Sequence, residues 1–312
     1  MAVKPDILFR VEGPVYADHL AHHFTIHDAW DGLRDLPADT RSRIRVVVTN
    51  GLVGLTAAEM DALPSLGLIC TVGTGYEAVD VAAARARGIS VTHAAGVNAV
   101  AVAEYGMGMI LALVRKICAF NASVRDGMWR GDVGVTPLLS GRRMGIFGMG
   151  GIGLRIAKLA EAFGMQIAYC NRSAKDVPWV RHDDLQSLAA AVDVLVIAAP
   201  GGPSTQHIVS AQVLDALGPQ GYLVNLGRGS ILHTPTLTAA LRDGRIAGAA
   251  LDVFEEEPDV PADLRALPNV VLSPHIAGLA LDVQQLSAAL MQRNIDAHLA
   301  GTALISPVPE LA

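Results

Sequence analysis

Short, mainly apolar runs alternate along this chain with stretches whose apolar residues recur at helical spacing. In the first third the runs are Ile7-Leu8-Phe9, Val46-Val47-Val48, Leu68-Ile69-Cys70 and Ile89-Ser90-Val91. Helical patterns lie between them at residues 15–23, 57–63 and 79–87. A proline-free stretch, 98–119, carries Met107, Met109, Ile110, Leu111, Leu113 and Val114 and predicts one long helix. Further strands are predicted at 143–147, 166–170, 194–198, 222–225, 246–250 and 270–272. Helices are predicted at 184–191, 211–217, 236–242 and 283–300. Strands regularly alternating with helices predict a parallel α/β architecture.

The run Gly148-Met149-Gly150-Gly151-Ile152-Gly153 is a complete G-x-G-x-x-G. An apolar strand precedes it, and Ile152, Ile156, Leu159, Ala160 and Phe163 follow at helical spacing, which is the context a dinucleotide-binding turn requires. The first glycine permits the tight turn, the second lets backbone N–H groups approach a pyrophosphate, and the third lets helix pack on strand. The helix N-terminus then faces the phosphates with its partial positive charge. The fold class that follows is α/β, with two Rossmann-like domains built on parallel, doubly wound sheets. The expected division is an NADP-binding domain over 98–282, inserted into a discontinuous substrate-binding domain made of 1–97 and 283–312.

The next strand ends in Asn171-Arg172-Ser173. Folds that bind NAD usually place an acidic residue here to hold the adenosine ribose. Asn171 removes a charge that would repel a 2′-phosphate, and Arg172 with Ser173 offers donors to one. The plain alternative is a solvated polar loop. The expected cofactor is NADP, with NADPH preferred over NADH.

Composition narrows the class. The chain has 312 residues, 51% hydrophobic and 17% charged, with net charge −6. That balance predicts a well-buried globular protein and no nucleic-acid partner. The first residues lack the apolar core of a signal peptide, and no apolar run is long enough to span a bilayer, so a cytoplasmic protein without a membrane partner is expected. Cys70, Cys118 and Cys170 have neither metal-type nor disulfide-type spacing. Among His19, His22, His23 and His27 the spacing lets two imidazoles share a helix face, but no cysteine or nearby acidic cluster completes a zinc set, so no metal is expected.

Three strand ends carry polar chemistry toward the carboxyl edge, where ligands of doubly wound sheets bind. They contain Arg228 in 224–230, Asp252 and Glu257 in 250–258, and His275 in 272–278. An arginine can grip a carboxylate bidentately. A histidine can donate a proton to a carbonyl oxygen, and a carboxylate beside it orients the ring. Singly, these residues would pass as a surface turn, a solvated acidic run and a loop histidine.

Together, the stretches 148–153, 225–229, 251–258 and 274–278 resemble the D-isomer-specific 2-hydroxyacid dehydrogenase family over essentially the whole chain. The likeness is greatest to its glyoxylate/hydroxypyruvate reductase branch. The 29-residue step from Arg228 to Glu257 and the 18-residue step from Glu257 to His275 match the family pattern. The resemblance implies an NADPH-dependent reductase of small 2-oxo acids, such as glyoxylate or hydroxypyruvate, to 2-hydroxy acids. It implies that His275 is the acid/base, Glu257 its partner and Arg228 the substrate clamp. Asp252 would lie near the nicotinamide carboxamide, with Gly278, Val102 and Leu226 also lining the cofactor. Gly73-Thr74-Gly75 would hold the substrate carboxylate through backbone N–H groups, and Leu52 would line the substrate pocket. Ala99 stands where the family often has threonine. A homodimer is implied, with Trp129 reaching the partner's active site; a buried packing role for Trp129 is the alternative. A non-catalytic dinucleotide-sensing scaffold is a rival, against which the Arg-Glu-His set argues. An NAD-dependent enzyme such as phosphoglycerate dehydrogenase is another, against which the missing acid at 171 argues.

Overall fold

Strands form here where both faces are apolar, because a parallel sheet is covered by helices on both sides. The computed structural model describes residues 4–11, 13–30 and 32–311. It divides into two units, 1–98 with 279–312, and 99–278.

The first unit holds β1 (Asp6–Phe9), β2 (Thr25–Asp28), β3 (Val46–Thr49), β4 (Leu68–Thr71) and β5 (Ser90–Thr92). All pair in parallel, in the order β2-β1-β3-β4-β5. β3 and β4 are buried throughout, whereas edge strand β2, Thr-Ile-His-Asp, is half-exposed. That exposure explains why hydrophobic patterning does not reveal β2. The helix Leu281–Leu299 returns to this sheet and sets Ala288, Met291 and Ile295 against Ile7, Phe9, Val46 and Leu68.

The second unit holds β6 (Arg143–Phe147), β7 (Gln166–Cys170), β8 (Val180–His182), β9 (Val194–Ile197), β10 (Tyr222–Asn225), β11 (Gly248–Leu251) and β12 (Val270–Leu272). Their order is β12-β11-β10-β9-β6-β7-β8, all parallel. The order reverses between β6 and β9, and a crevice opens at the carboxyl ends of strands at such a switch point. β8, Val-Arg-His, is a polar edge strand and leaves no apolar signal in the sequence.

The long helix expected over 98–119 is two. The first spans Ala99–Val114, the second Ile117–Arg125, and they meet at 61°. Lys116 takes a left-handed conformation, φ 52°, at the break. Neither glycine nor proline marks it, so residue type gave no warning. The first helix buries Val102, Ala103, Met107 and Ile110, while the second buries none of its residues. Among the described residues no single helix is long and apolar enough to cross a membrane.

Candidate active site

The glycine turn after β6 is shaped by what a side chain would strike. A Cβ on Gly148, at φ +100°, would lie 2.5 Å from the Ala199 backbone nitrogen, and one on Gly153 would lie 2.2 Å from the Gly148 carbonyl oxygen. Packing therefore requires both glycines. A Cβ on Gly150 would meet nothing within 4 Å, so that glycine keeps open space beside the turn. The helix Gly151–Ala162 starts there without a side-chain cap, which leaves its first N–H groups for a ligand. This is the shape a pyrophosphate needs, so the turn fits a dinucleotide. Ile152 lies in the first turn of the helix. Val102 and Leu226 belong to the core beneath, and Ala99 packs against Gly151.

Asn171 joins this turn to the loop after β7. Its Oδ1 accepts from the Met149 N–H at 3.2 Å, and its Nδ2 donates to the Ser173 carbonyl at 3.0 Å. Arg172 and Ser173 are exposed. Arg181, on β8, reaches the Asn171 carbonyl through Nη2 at 3.4 Å. Arg181 carries no signal in the sequence because the polar strand that holds it has no apolar pattern.

Three further loops leave the same sheet edge. After β10, the buried Asn225 builds a turn: Oδ1 accepts from the Gly227 N–H and Nδ2 donates to the Arg228 carbonyl, each at 3.0 Å. This local bonding sets the backbone of Arg228. After β11, Asp252 is buried. Its carboxylate accepts from Ser273 Oγ at 2.7 Å and from the Ile276 and Ala277 N–H groups at 3.0 Å. Tyr105 OH is 2.8 Å from Ser273 Oγ and extends the network. Three donors satisfy most of what one carboxylate can accept. Asp252 thus organises the turn that continues through Gly278, a task its sequence position did not suggest.

That turn holds His275 at φ 55°, a region that non-glycine residues seldom adopt and that occurs at functional sites. The His275 N–H donates to the Asp252 carbonyl at 2.8 Å. Its ring Nδ1–H donates to Glu257 Oε2 at 2.8 Å, while Glu257 Oε1 accepts from the Phe254 N–H at 2.9 Å. The pair is neither sealed nor fully wet: the side chains are 36% and 21% exposed. A Cβ on Gly229 would lie 1.7 Å from the Phe254 carbonyl oxygen, so the arginine turn and the acidic loop run backbone against backbone.

The first unit has its own edge loops. Asn50 Oδ1 accepts from the Leu52 and Val53 N–H groups at 2.9 and 2.8 Å, leaving the Leu52 side chain 70% exposed. The Ala78 N–H donates to the Gly51 carbonyl at 3.1 Å, joining this loop to the one after β4. In that second loop Thr74 Oγ1 donates to Asn98 Oδ1 at 3.1 Å, and Gly73 has open space where a side chain would stand. The backbone N–H groups of Gly73, Thr74 and Gly75 make no hydrogen bond among the described residues. Nearby, burial first and then the Glu310 carboxylate push the Tyr76 hydroxyl up to about 12.

Trp129 is 69% exposed, which overturns a buried packing role in the single chain. Its N–H donates to Asp132 Oδ2 at 2.9 Å. The three cysteines are free, with Cys70 and Cys170 buried and Cys118 exposed.

A glycine turn open to a pyrophosphate, beside a histidine–carboxylate pair on one sheet edge, defines a dinucleotide-dependent oxidoreductase. Residues 107–277 match the family described as D-isomer specific 2-hydroxyacid dehydrogenase, NAD binding domain. The chain is 42% identical over 277 residues to a hydroxyphenylpyruvate reductase of Plectranthus scutellarioides, covering 88% of each. It is 36% identical to a 2-ketogluconate reductase of Gluconobacter oxydans, covering 99% of this chain and all of the other. The crystal structure of an NADPH-dependent glyoxylate/hydroxypyruvate reductase from Sinorhizobium meliloti, in complex with NADP and malonate, superposes with TM-score 0.92. That protein is 38% identical, with 99% of this chain and 98% of that one covered. This chain belongs to the D-isomer-specific 2-hydroxyacid dehydrogenase family. It is an oxidoreductase that uses a nicotinamide dinucleotide.

Proposed function

We propose that this protein reduces small 2-oxo acids of the glyoxylate and hydroxypyruvate class to 2-hydroxy acids, with NADPH. The observation that carries the reading is the 2.8 Å contact between His275 and Glu257, on the sheet edge that also bears Arg228. The dinucleotide, when bound, supplies hydride. His275 supplies the proton that the carbonyl oxygen takes up, and Glu257 keeps the imidazole in the orientation that donates it. Arg228 pairs with the carboxylate of the 2-oxo acid, which selects acids over plain ketones. Asp252 acts on the cofactor side through the turn 273–278 that it ties together.

The unit 99–278 is assigned the cofactor. Gly148, Gly150, Gly151, Ile152 and Gly153 would hold the pyrophosphate, and Asn171, Arg172 and Ser173 would read the 2′-phosphate. Within the other unit, the N–H groups at Gly73, Thr74 and Gly75 offer donors to a carboxylate, and exposed Leu52 offers an apolar surface. The relatives' names span glyoxylate, hydroxypyruvate, hydroxyphenylpyruvate and 2-ketogluconate reductases, so side-chain size is the open variable. Turnover of glyoxylate, hydroxypyruvate, phenylpyruvate and 2-ketogluconate with NADPH tests the reading. Reduction of at least one with kcat above about 1 s⁻¹, an ordinary enzymatic rate, supports it. Absence of turnover with all four overturns it.

The protein is assigned a homodimer. The helix Ile117–Arg125 buries none of its residues, and Val124, Trp129, Val135 and Leu138 beyond the break are between 57% and 99% exposed. Exposed apolar side chains gathered on one stretch of chain suit an interface. Sedimentation at micromolar concentration should give twice the chain mass; a monomer would overturn this part alone. Three free cysteines suit a reducing, cytoplasmic setting.

A further inference from the structure

The acidic loop contains a second histidine–carboxylate pair, which the mechanism above does not use. Glu255 lies two residues before Glu257. Its Oε1 is 2.5 Å from His207 Nε2, and its Oε2 accepts from the Thr234 N–H at 2.9 Å. Burial opposes charge on Glu255, yet hydrogen bonds from Thr234 and His207 hold its carboxyl below the ordinary carboxylate range. Glu255 is therefore an anchored anion.

His207 lies in the segment between β9 and the helix Ala211–Leu217. Its φ is 51°, again in the region that side chains seldom adopt. It is held there by its own N–H, which donates to the Ser230 carbonyl at 2.8 Å. One residue thus touches two loops: the backbone of His207 holds the turn that carries Arg228, and its imidazole holds the loop that carries Glu257.

Neighbouring contacts follow the same plan. The Val209 N–H donates to the Ile231 carbonyl at 3.2 Å. A Cβ on Gly201 would lie 3.0 Å from Arg228 Cγ, so the segment passes beneath the arginine stem. The His233 ring stands edge-on to His207 at 5.0 Å and closes the other side. The arginine turn and the acidic loop already meet at Gly229 and Phe254. His207 fixes the third side of that triangle.

We propose that His207 is a positioning residue for the reaction, locking the Arg228 turn to the Glu255–Glu257 loop so that the carboxylate clamp and the His275 pair keep their spacing. The inference rests on the roles given above to Arg228, Glu257 and His275. His207 itself touches neither substrate nor cofactor in this scheme. Its effect comes through distance, since a displacement of about 1 Å at reacting groups costs on the order of a hundredfold.

The test uses the full-length enzyme and measures kcat, KM for glyoxylate or the best 2-oxo acid of the panel, and NADPH affinity by fluorescence titration. His207→Ala should raise KM and lower kcat, for a combined loss in kcat/KM of roughly ten- to a hundredfold. NADPH affinity should stay within about twofold. His207→Gln, whose amide can still donate to Glu255, should recover most of the loss. Should His207→Ala fail to fold, Glu255→Gln, which keeps an acceptor for Thr234, should give the same pattern in milder form. In the double variant His207→Ala, Glu255→Ala the losses should not add, because the two residues act as one contact. The proposal is overturned if His207→Ala or Glu255→Gln keeps both constants within twofold, or if His207→Gln is as impaired as His207→Ala. The reading of function is separately judged by His275→Ala. A nearly inactive His275→Ala beside a normal His207→Ala sinks only the present inference; full activity in both sinks the mechanism as well.

Discussion

At the carboxyl edge of the five-stranded sheet, the loops after β3 and β4 present mainly backbone: the N–H groups at Gly73, Thr74 and Gly75, and an exposed Leu52. At the same edge of the seven-stranded sheet, the loops after β10, β11 and β12 present Arg228, Glu257 and His275. The scaffolds share parallel strands, buried interiors and crossover helices, yet the histidine–carboxylate pair His275–Glu257 belongs to the second. The anchors differ too. Asn50 ties its loop from a partly exposed position, whereas Asn225 and Asp252 do so from full burial. Buried, fully satisfied polar groups fix a geometry more tightly than wet ones. The three residues proposed for the chemistry leave the sheet whose loops are tied by buried polar side chains.

The contrast is broken most severely at His275. His275→Ala should lower kcat for 2-oxo acid reduction by roughly a hundred- to ten-thousandfold, the usual range for a lost general acid, with NADPH affinity nearly unchanged. Leu52→Ala, at the other edge, should act mainly on KM and by no more than about two-hundredfold, since one apolar contact contributes about 1–3 kcal/mol at most. Steady-state kinetics on both variants decide it. A larger kcat loss from Leu52→Ala than from His275→Ala would reverse the assignment of chemistry to the second unit.

Cofactor choice comes next in size. A hydrogen bond to a charged group contributes about 1.5–3 kcal/mol, and about 1.4 kcal/mol is tenfold in affinity. NADPH should therefore exceed NADH by at least about tenfold in kcat/KM. Asn171→Asp combined with Arg172→Ala should reverse the order while His275 chemistry persists. Equal use of both cofactors by the unaltered enzyme rules out a 2′-phosphate site and leaves the dehydrogenase intact.

Two glycines separate room for a ligand from room for the chain. Gly229→Ala places a Cβ 1.7 Å from a carbonyl oxygen, and Gly150→Ala places one in open space. The first should cost at least about 1–3 kcal/mol of stability, the usual cost of overpacking, and should lower activity by parting the two catalytic loops. The second should leave the melting temperature within a degree or two and weaken NADPH binding. A calorimeter and a binding titration read both. Unimpaired NADPH binding by Gly150→Ala would count against the pyrophosphate site.

The smallest effect concerns acid. Burial alone would raise the Asp193 carboxyl, but hydrogen bonds from Arg143 bring it below its ordinary value. A carboxyl lowered on folding adds stability above the unfolded value, near 3.9, and loses it as pH falls through the lower folded value. Asp193→Asn should thus be less stable than the parent at pH 7, by less than about 1 kcal/mol, and the difference should shrink as pH falls below the unfolded carboxyl value. A gap that persists at low pH would show that the ion pair is not its source.

Much of this was legible in the order of residues. Short apolar runs rich in β-branched residues, such as Val46–Val48 and Val194–Ile197, read as buried strands because they are too short for helices and bounded by polar residues. Gly148 and Gly153 were fixed by the turn they make, and the spacing of Arg228, Glu257 and His275 placed them at strand ends. The polar edge strands β2 and β8, and with them Arg181, left no hydrophobic period to read. The break at Lys116 followed no residue rule, because a left-handed lysine is imposed by the two helices it joins. The pairing of His207 with Glu255, 48 residues apart, and the grip of Asp252 on the turn that holds His275 arise only when loops from different strands converge. Local sequence dictates which backbone forms where. Which buried polar atoms then satisfy one another is decided by the tertiary structure, because a hydrogen bond in the interior depends on where distant strands end.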